Sequence, residues 1–129
     1  MLEKNSDTVK VVFKNMPLRF HKFADPSARA ALAAFKQDKF WDFHDELFGA
    51  EKLSNDLINN IAVKLNLDIA QFNKDMNSPE VRQQVKKDLL DAQKAGVTGT
   101  PTVFINGKKL KNRSLQGFQA MIDKELKNK

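Results

Sequence analysis

Gly96-Val97-Thr98-Gly99-Thr100-Pro101-Thr102-Val103-Phe104-Ile105-Asn106-Gly107-Lys108 is the stretch that decides how this chain is read. Thr102–Ile105 is rich in β-branched and aromatic residues and reads as a strand. Asn106-Gly107 follows as a two-residue turn. Both residues tolerate positive φ, which favours a type I′ hairpin, so Lys108-Lys109-Leu110 is predicted to return antiparallel. On the residues alone, Pro101 need only begin the strand, where its missing N–H does no harm.

Upstream the period changes. Val9–Lys14 is β-branched and aromatic with partial alternation and reads as another strand, closed by Asn15-Met16-Pro17-Leu18. Asp25-Pro26 is predicted to open a helix, with Asp25 as N-cap and Pro26 first inside, and the alanine-rich run Ala28 to Phe35 continues it. Phe40, Phe43, His44, Leu47 and Phe48 recur on one helical face and stop at Gly49. Ser54 precedes a helix with Leu57, Ile58, Ile61, Ala62 and Leu65 facing inward. Asp68 caps a short one carrying Ile69, Phe72 and Met76. Ser78-Pro79 opens a longer one with Val81, Val85, Leu89 and Ala92, ended by Gly96. After the hairpin, Ser114 caps a last helix with Leu115, Phe118, Met121, Ile122 and Leu126 facing inward. No repeat, low-complexity tract or linker interrupts the order.

Composition narrows the chemistry. In 129 residues there are 22 lysines and arginines, 16 acids, two histidines and no cysteine, a formal charge of +6. One domain spanning 1–129 is expected at this length. Without cysteine there is no disulfide, no thiolate nucleophile and no cysteine metal site. His21 and His44 lack metal-ligand spacing, so no metal, cofactor or catalytic residue is expected from this chain alone. Asp42, Asp45 and Glu46 read as a solvated helix face, and His44 and His21 as structural histidines. The basic group Lys108, Lys109, Lys111 and Arg113 suits a solvated edge better than a nucleic-acid surface, because no nucleic-acid motif accompanies it. No apolar run approaches the roughly 18 residues of a membrane span. Met1–Thr8 has no apolar core of the secretory-leader kind, so the chain as written is expected to be cytoplasmic.

Three segments in order carry a resemblance. Val11–Leu18 with Phe20-His21, Lys39–Phe48, and Gly96–Lys108 resemble, respectively, the second core strand, a helix of the inserted helical domain, and the proline loop with its hairpin in DsbA-like, thioredoxin-fold thiol–disulfide oxidoreductases. The resemblance covers nearly the whole chain. It implies an α/β, truncated thioredoxin-like fold: one strand, a helical insertion over 19–95, a β-hairpin and a C-terminal helix. It also implies a cis Thr100–Pro101 bond and a loop, Gly99-Thr100-Pro101, able to pair with an extended peptide. The family's setting is usually extracytoplasmic.

The departure from the family lies at the start. Members begin with a strand and a Cys-x-x-Cys motif opening a helix, and neither has a counterpart here. That strand occupies the centre of the family's sheet, so Val9–Phe13 and Thr102–Ile105 are expected to find other neighbours. A homodimer formed by strand swapping or edge addition is the simplest symmetric solution, and a complementing N-terminal chain or an extended peptide is another. Val9, Val11, Phe13 and Trp41 are the candidate interface residues. Phe40, Trp41, Phe43 and Phe48 are otherwise expected to pack in the core. The functional expectation is a redox-inactive thioredoxin-like module that dimerises or binds peptide. The alternatives are the C-terminal part of a disulfide oxidoreductase and, third, a basic nucleic-acid-binding protein.

Overall fold

Hydroxyl and carboxylate side chains start each of the three helices between residues 54 and 94. Ser54 Oγ accepts from the Leu57 N–H at 3.0 Å, Asp68 Oδ1 from Gln71 at 3.1 Å, and Ser78 Oγ from Val81 at 3.2 Å. Each satisfies an N–H that a helix start leaves without an intrahelical partner. The computed structural model describes residues 4–17 and 22–127. Among these the order is α1 (Ala24–Phe35), α2 (Phe40–Phe48), α3 (Asn55–Lys64), α4 (Ile69–Met76), α5 (Pro79–Lys94), β1 (Phe104–Ile105), β2 (Lys108–Lys109) and α6 (Leu115–Lys127). Leu18 and the Phe20-His21 part of the resemblance lie outside the described residues. The chain divides into two compact units: Lys14–Gly96, and the residues up to Phe13 together with those from Val97 onward.

In the helical unit α1 packs against α2, α3, α4 and α5. Its buried face is made of alanines, Ala30, Ala31, Ala33 and Ala34, which let neighbouring helices approach closely. Phe43 and Phe72 are fully buried and stack with centroids 5.6 Å apart. Ile58, Ile61, Ala62, Leu47 and Leu67 complete this core. α1 and α4 are also stitched end to end. Gln37 Nε2 donates to the Asp68 carbonyl and its Oε1 accepts the Asp68 N–H, at 3.2 and 2.8 Å.

The helix starts and stops differ from the sequence reading at one place. α1 begins at Ala24 with Phe23 in the cap position, because the Ser27 N–H reaches the Phe23 carbonyl at 3.1 Å. Asp25 therefore lies inside the first turn, where its carboxylate meets Arg29 at 2.9 Å and complements the helix dipole. Ile69, Phe48, Leu115 and Leu126, all expected to face inward, are exposed. Each lies at or near an end of its helix.

The expected strand Val9–Phe13 is the main correction. Residues 9–17 form neither helix nor ladder, and β1–β2 is the only sheet among the described residues. A strand exists only with a neighbour to complete its backbone hydrogen bonds, and β1 and β2 are engaged with each other. Polar contacts hold the end of the segment instead. The buried Asp88 carboxylate accepts from the Asn15 N–H at 2.9 Å, from Asn15 Nδ2 at 3.1 Å and from Gln84 Nε2 at 2.8 Å. Lys14 pairs with Asp91 at 2.9 Å, one turn along α5.

The second unit is smaller. Phe104 pairs with Lys109 and Ile105 with Lys108. The Leu110 N–H to Val103 carbonyl bond, 2.8 Å, carries the pairing one step further. Asn106 and Gly107 have φ of 49° and 79°, the doubly positive turn that the Asn-Gly pair predicts. Ser114 Oγ caps α6 by accepting the Gly117 N–H at 3.0 Å. Leu110 and Ile122 are the buried apolar residues of this unit. Among the described residues the structure is thus mostly helical, with one two-stranded hairpin.

Candidate functional site

α5 ends at Lys94 and is followed by Gly96, whose φ of 75° lies in the left-handed region that glycine adopts freely. The backbone then runs through Thr98 and Gly99 into Thr100–Pro101, and that peptide bond is cis. Two contacts fix the loop. Thr102 Oγ1 donates to the Gly99 carbonyl at 2.6 Å, closing the turn around the cis bond. Arg113 Nη1 donates to the Pro101 carbonyl at 2.7 Å from beyond the hairpin. The hairpin register explains the reach: continued past β1 and β2, it sets residue 112 opposite residue 101.

The result is an open pocket of about 480 Å³ lined by Thr98–Thr102, Lys109–Lys111 and Arg113. The three residues singled out in the sequence, Gly99, Thr100 and Pro101, therefore form one continuous wall. Thr100 and Pro101 are exposed, and the Thr100 N–H and C=O form no hydrogen bond among the described residues. A backbone donor and acceptor presented side by side are what a strand-like ligand pairs with.

The basic run divides into two. Lys108 Nζ meets Glu125 Oε1 of α6 at 2.8 Å. The hydrogen bond from Lys108 holds the Glu125 carboxyl below the usual carboxylate range, partly offset by desolvation. Lys109, Lys111 and Arg113 line the pocket instead and make no ion pair among the described residues. Arg113 had no assigned role in the sequence reading beyond its charge. The register of the Asn-Gly hairpin was the available signal for it.

The other candidates are placed elsewhere. Val11 and Phe13 are exposed, Val9 is half-buried and Val12 is 67% exposed, all outside any ladder. Trp41 belongs to the helical unit and is 49% exposed. Of the aromatic residues expected in the core, Phe43 is fully buried, whereas Phe48 is 74% exposed. His44 lies in an aromatic row, 4.1 Å from Phe48, 5.3 Å from Trp41 and 5.9 Å from Phe40 between ring centroids, with Nδ1 3.2 Å from Asp45 Oδ1. Asp42 faces Lys39, and Glu46 meets Lys64 at 2.6 Å, so the three acids of α2 have three different partners.

Known proteins bring these features together. A family model described as Thioredoxin matches residues 1–124. The probable disulfide bond formation protein D of Bacillus anthracis is 38% identical over 129 residues, covering 92% of this chain and 58% of that protein. A thioredoxin-like oxidoreductase from Silicibacter pomeroyi superposes with a TM-score of 0.78 at 29% identity, over 92% of this chain and 68% of that one. The thiol–disulfide exchange protein alpha-DsbA2 of Wolbachia pipientis gives 0.79 at 23% identity, over 94% and 68%, and speaks for the fold alone. The chain thus spans rather more than half the length of the curated relative it matches. With the family model spanning nearly the whole chain and the solved structures sharing its fold, the chain belongs to the thioredoxin family, as a DsbA-like member whose sequence here carries no cysteine.

Proposed function

We propose that this chain is a redox-inactive, peptide-capturing thioredoxin-like module. The observation that carries this reading is the exposed Thr100–Pro101 segment beside an open pocket, with the Thr100 N–H and C=O turned to no partner among the described residues. Thiol–disulfide exchange requires a thiolate to attack sulfur, and no side chain here supplies one. The loop keeps the part of the chemistry that needs only backbone geometry: pairing with an extended segment. Purified protein is expected to leave insulin reduction and thiol oxidation at the uncatalysed rate. It is expected to bind short unstructured peptides, measured by fluorescence anisotropy. Turnover above background, or no binding to any peptide, would overturn the reading.

Coverage of 58% of the Bacillus protein favours a second reading, in which a Cys-x-x-Cys segment outside this sequence completes a disulfide oxidoreductase. An in-frame Cys-x-x-Cys upstream in the gene would decide for it. Self-association is the remaining proposal. Val11 and Val12 are exposed and apolar on backbone that forms no ladder, so a second copy could add a strand there. Light scattering over a dilution series tests this, and a compact monomer at every concentration would end it.

A further inference from the structure

We propose that the proline-loop pocket selects acidic peptide segments, those with Asp or Glu side chains flanking the stretch that pairs with Thr100. This rests on the peptide-capture reading and adds the chemistry of what is captured. Three of the nine residues lining the pocket are cationic, Lys109, Lys111 and Arg113, and none is acidic. The neighbouring acid is already used: Glu125 is bound to Lys108. Alternation along the returning strand separates the two roles, since Lys108 and Lys109 project to opposite faces. Lys108 is committed to α6, while Lys109 and, two residues on, Lys111 stay at the pocket. Arg113 spends one N–H on the Pro101 carbonyl. A guanidinium has five donors in a fixed fork, so others remain for a carboxylate at the rim.

A carboxylate entering here meets cations in the same pocket whose wall also offers backbone pairing. An ammonium would meet only like charge. The lining contains no aromatic residue, so it lacks the stacking platform on which single-stranded nucleic acids are held. That favours a polypeptide as the anionic ligand.

The test uses the full 129-residue chain and three labelled peptides with one small-residue backbone, carrying Asp and Glu, their amides Asn and Gln, or Lys at the same positions. At low ionic strength the acidic peptide should bind about five- to tenfold more tightly than its amide counterpart, the yield of two partly exposed ion pairs. The lysine peptide should bind most weakly, and added salt should erase the preference. The double variant Lys109→Gln/Lys111→Gln should bring the acid-to-amide ratio close to one. Lys86→Gln/Lys87→Gln, the same charge change on α5, should leave the ratio intact. Circular dichroism confirms that both variants fold. Equal affinity for acidic and amide peptides would overturn the charge selection and leave peptide capture standing. No binding by any peptide would overturn both. Equal loss in the α5 variant, or an oligonucleotide bound more tightly than every peptide, would also overturn the inference.

Discussion

The two units of this chain are held by different means. Lys14–Gly96 has a continuous apolar core, with Phe43, Phe72 and Ile58 fully buried and four alanines of α1 packed among them. The hairpin unit buries Leu110 and Ile122, and leaves Phe104, Leu115 and Leu126 exposed. Polar and backbone fits define it instead. Asn5 and Gln119 exchange amide hydrogen bonds at 2.8 and 3.0 Å, Arg113 holds the Pro101 carbonyl, and Lys108 holds Glu125. The candidate site therefore lies in the unit with less apolar burial. Burial is what converts sequence into stability at about 25 cal/mol per Å². The helical unit should tolerate little change inside, while the hairpin unit should be sensitive to geometry.

The largest effect expected follows from that contrast. Phe72→Ala removes a fully buried ring stacked on Phe43 and should cost about 3–5 kcal/mol in urea unfolding. Leu126→Ala, on an exposed position of α6, should stay within about 0.5 kcal/mol. If the two cost the same, the contrast between the units is wrong. Next in size is Asp88→Ala. It leaves the Asn15 N–H, Asn15 Nδ2 and Gln84 Nε2 without their acceptor in a buried place, for about 2–3 kcal/mol. Glutamine at position 84 is exposed enough to turn to water, so the two Asn15 groups should account for most of it.

Gly117→Ala probes the other unit. A Cβ at Gly117 would run into the Asn112 carbonyl oxygen and side chain, closer than real Cβ atoms come. Asn112 cannot yield freely, because its Oδ1 accepts the Ser114 N–H at 3.0 Å at the start of α6. The expected cost is about 1–3 kcal/mol, an overpacking penalty, seen as faster amide exchange at the start of α6 than elsewhere. An unchanged exchange pattern would mean that the hairpin unit is less dependent on backbone fit than the contrast claims.

The same contrast explains what could be read from the sequence. The helices from Ser54 onward were legible because cap, period and stop agree: Ser54, Asp68 and Ser78 each cap in the structure. The hairpin was legible because Asn106-Gly107 demands one turn type. Val9–Phe13 was not, because its composition suits a strand but a strand also needs a partner, which local sequence does not supply. Asp88 was missed although its spacing from Val81 and Val85 puts it on the buried face of α5. An acid in an apolar row is discounted unless its donors are known, and one of them, the Asn15 N–H, comes from far along the chain. In the site, Thr100-Pro101 was evident from resemblance, whereas the split between Lys108 and Lys109 required strand alternation and the place of Glu125.

One lysine–carboxylate pair from each unit, Lys14–Asp91 and Lys108–Glu125, offers the finest comparison through its titration. The hydrogen bond from Lys14 holds Asp91 below the usual carboxylate range, as Lys108 does for Glu125, and Lys14 itself is raised by Asp91. A carboxylate depressed on folding stabilises above its ordinary range, and that stability fades as pH falls through the depressed value. The raised lysine acts at the other end: its contribution is complete below the ordinary lysine value and fades as pH rises through the raised one. Both pairs should therefore leave stability flat between about pH 6 and 9. Carboxyl carbon shifts followed by NMR resolve the two sites. Lys14→Gln should return Asp91 toward its ordinary range and leave Glu125 in place, and Lys108→Gln should do the reverse. Salt should separate them further. The Asp91 side chain is 35% exposed and that of Glu125 12%, so added salt should erode the Asp91 depression first, because screening acts through solvent. If both shifts shrink together, accessibility is not what distinguishes the pairs, and the polar fastening of the hairpin unit is no better protected than a surface contact on α5.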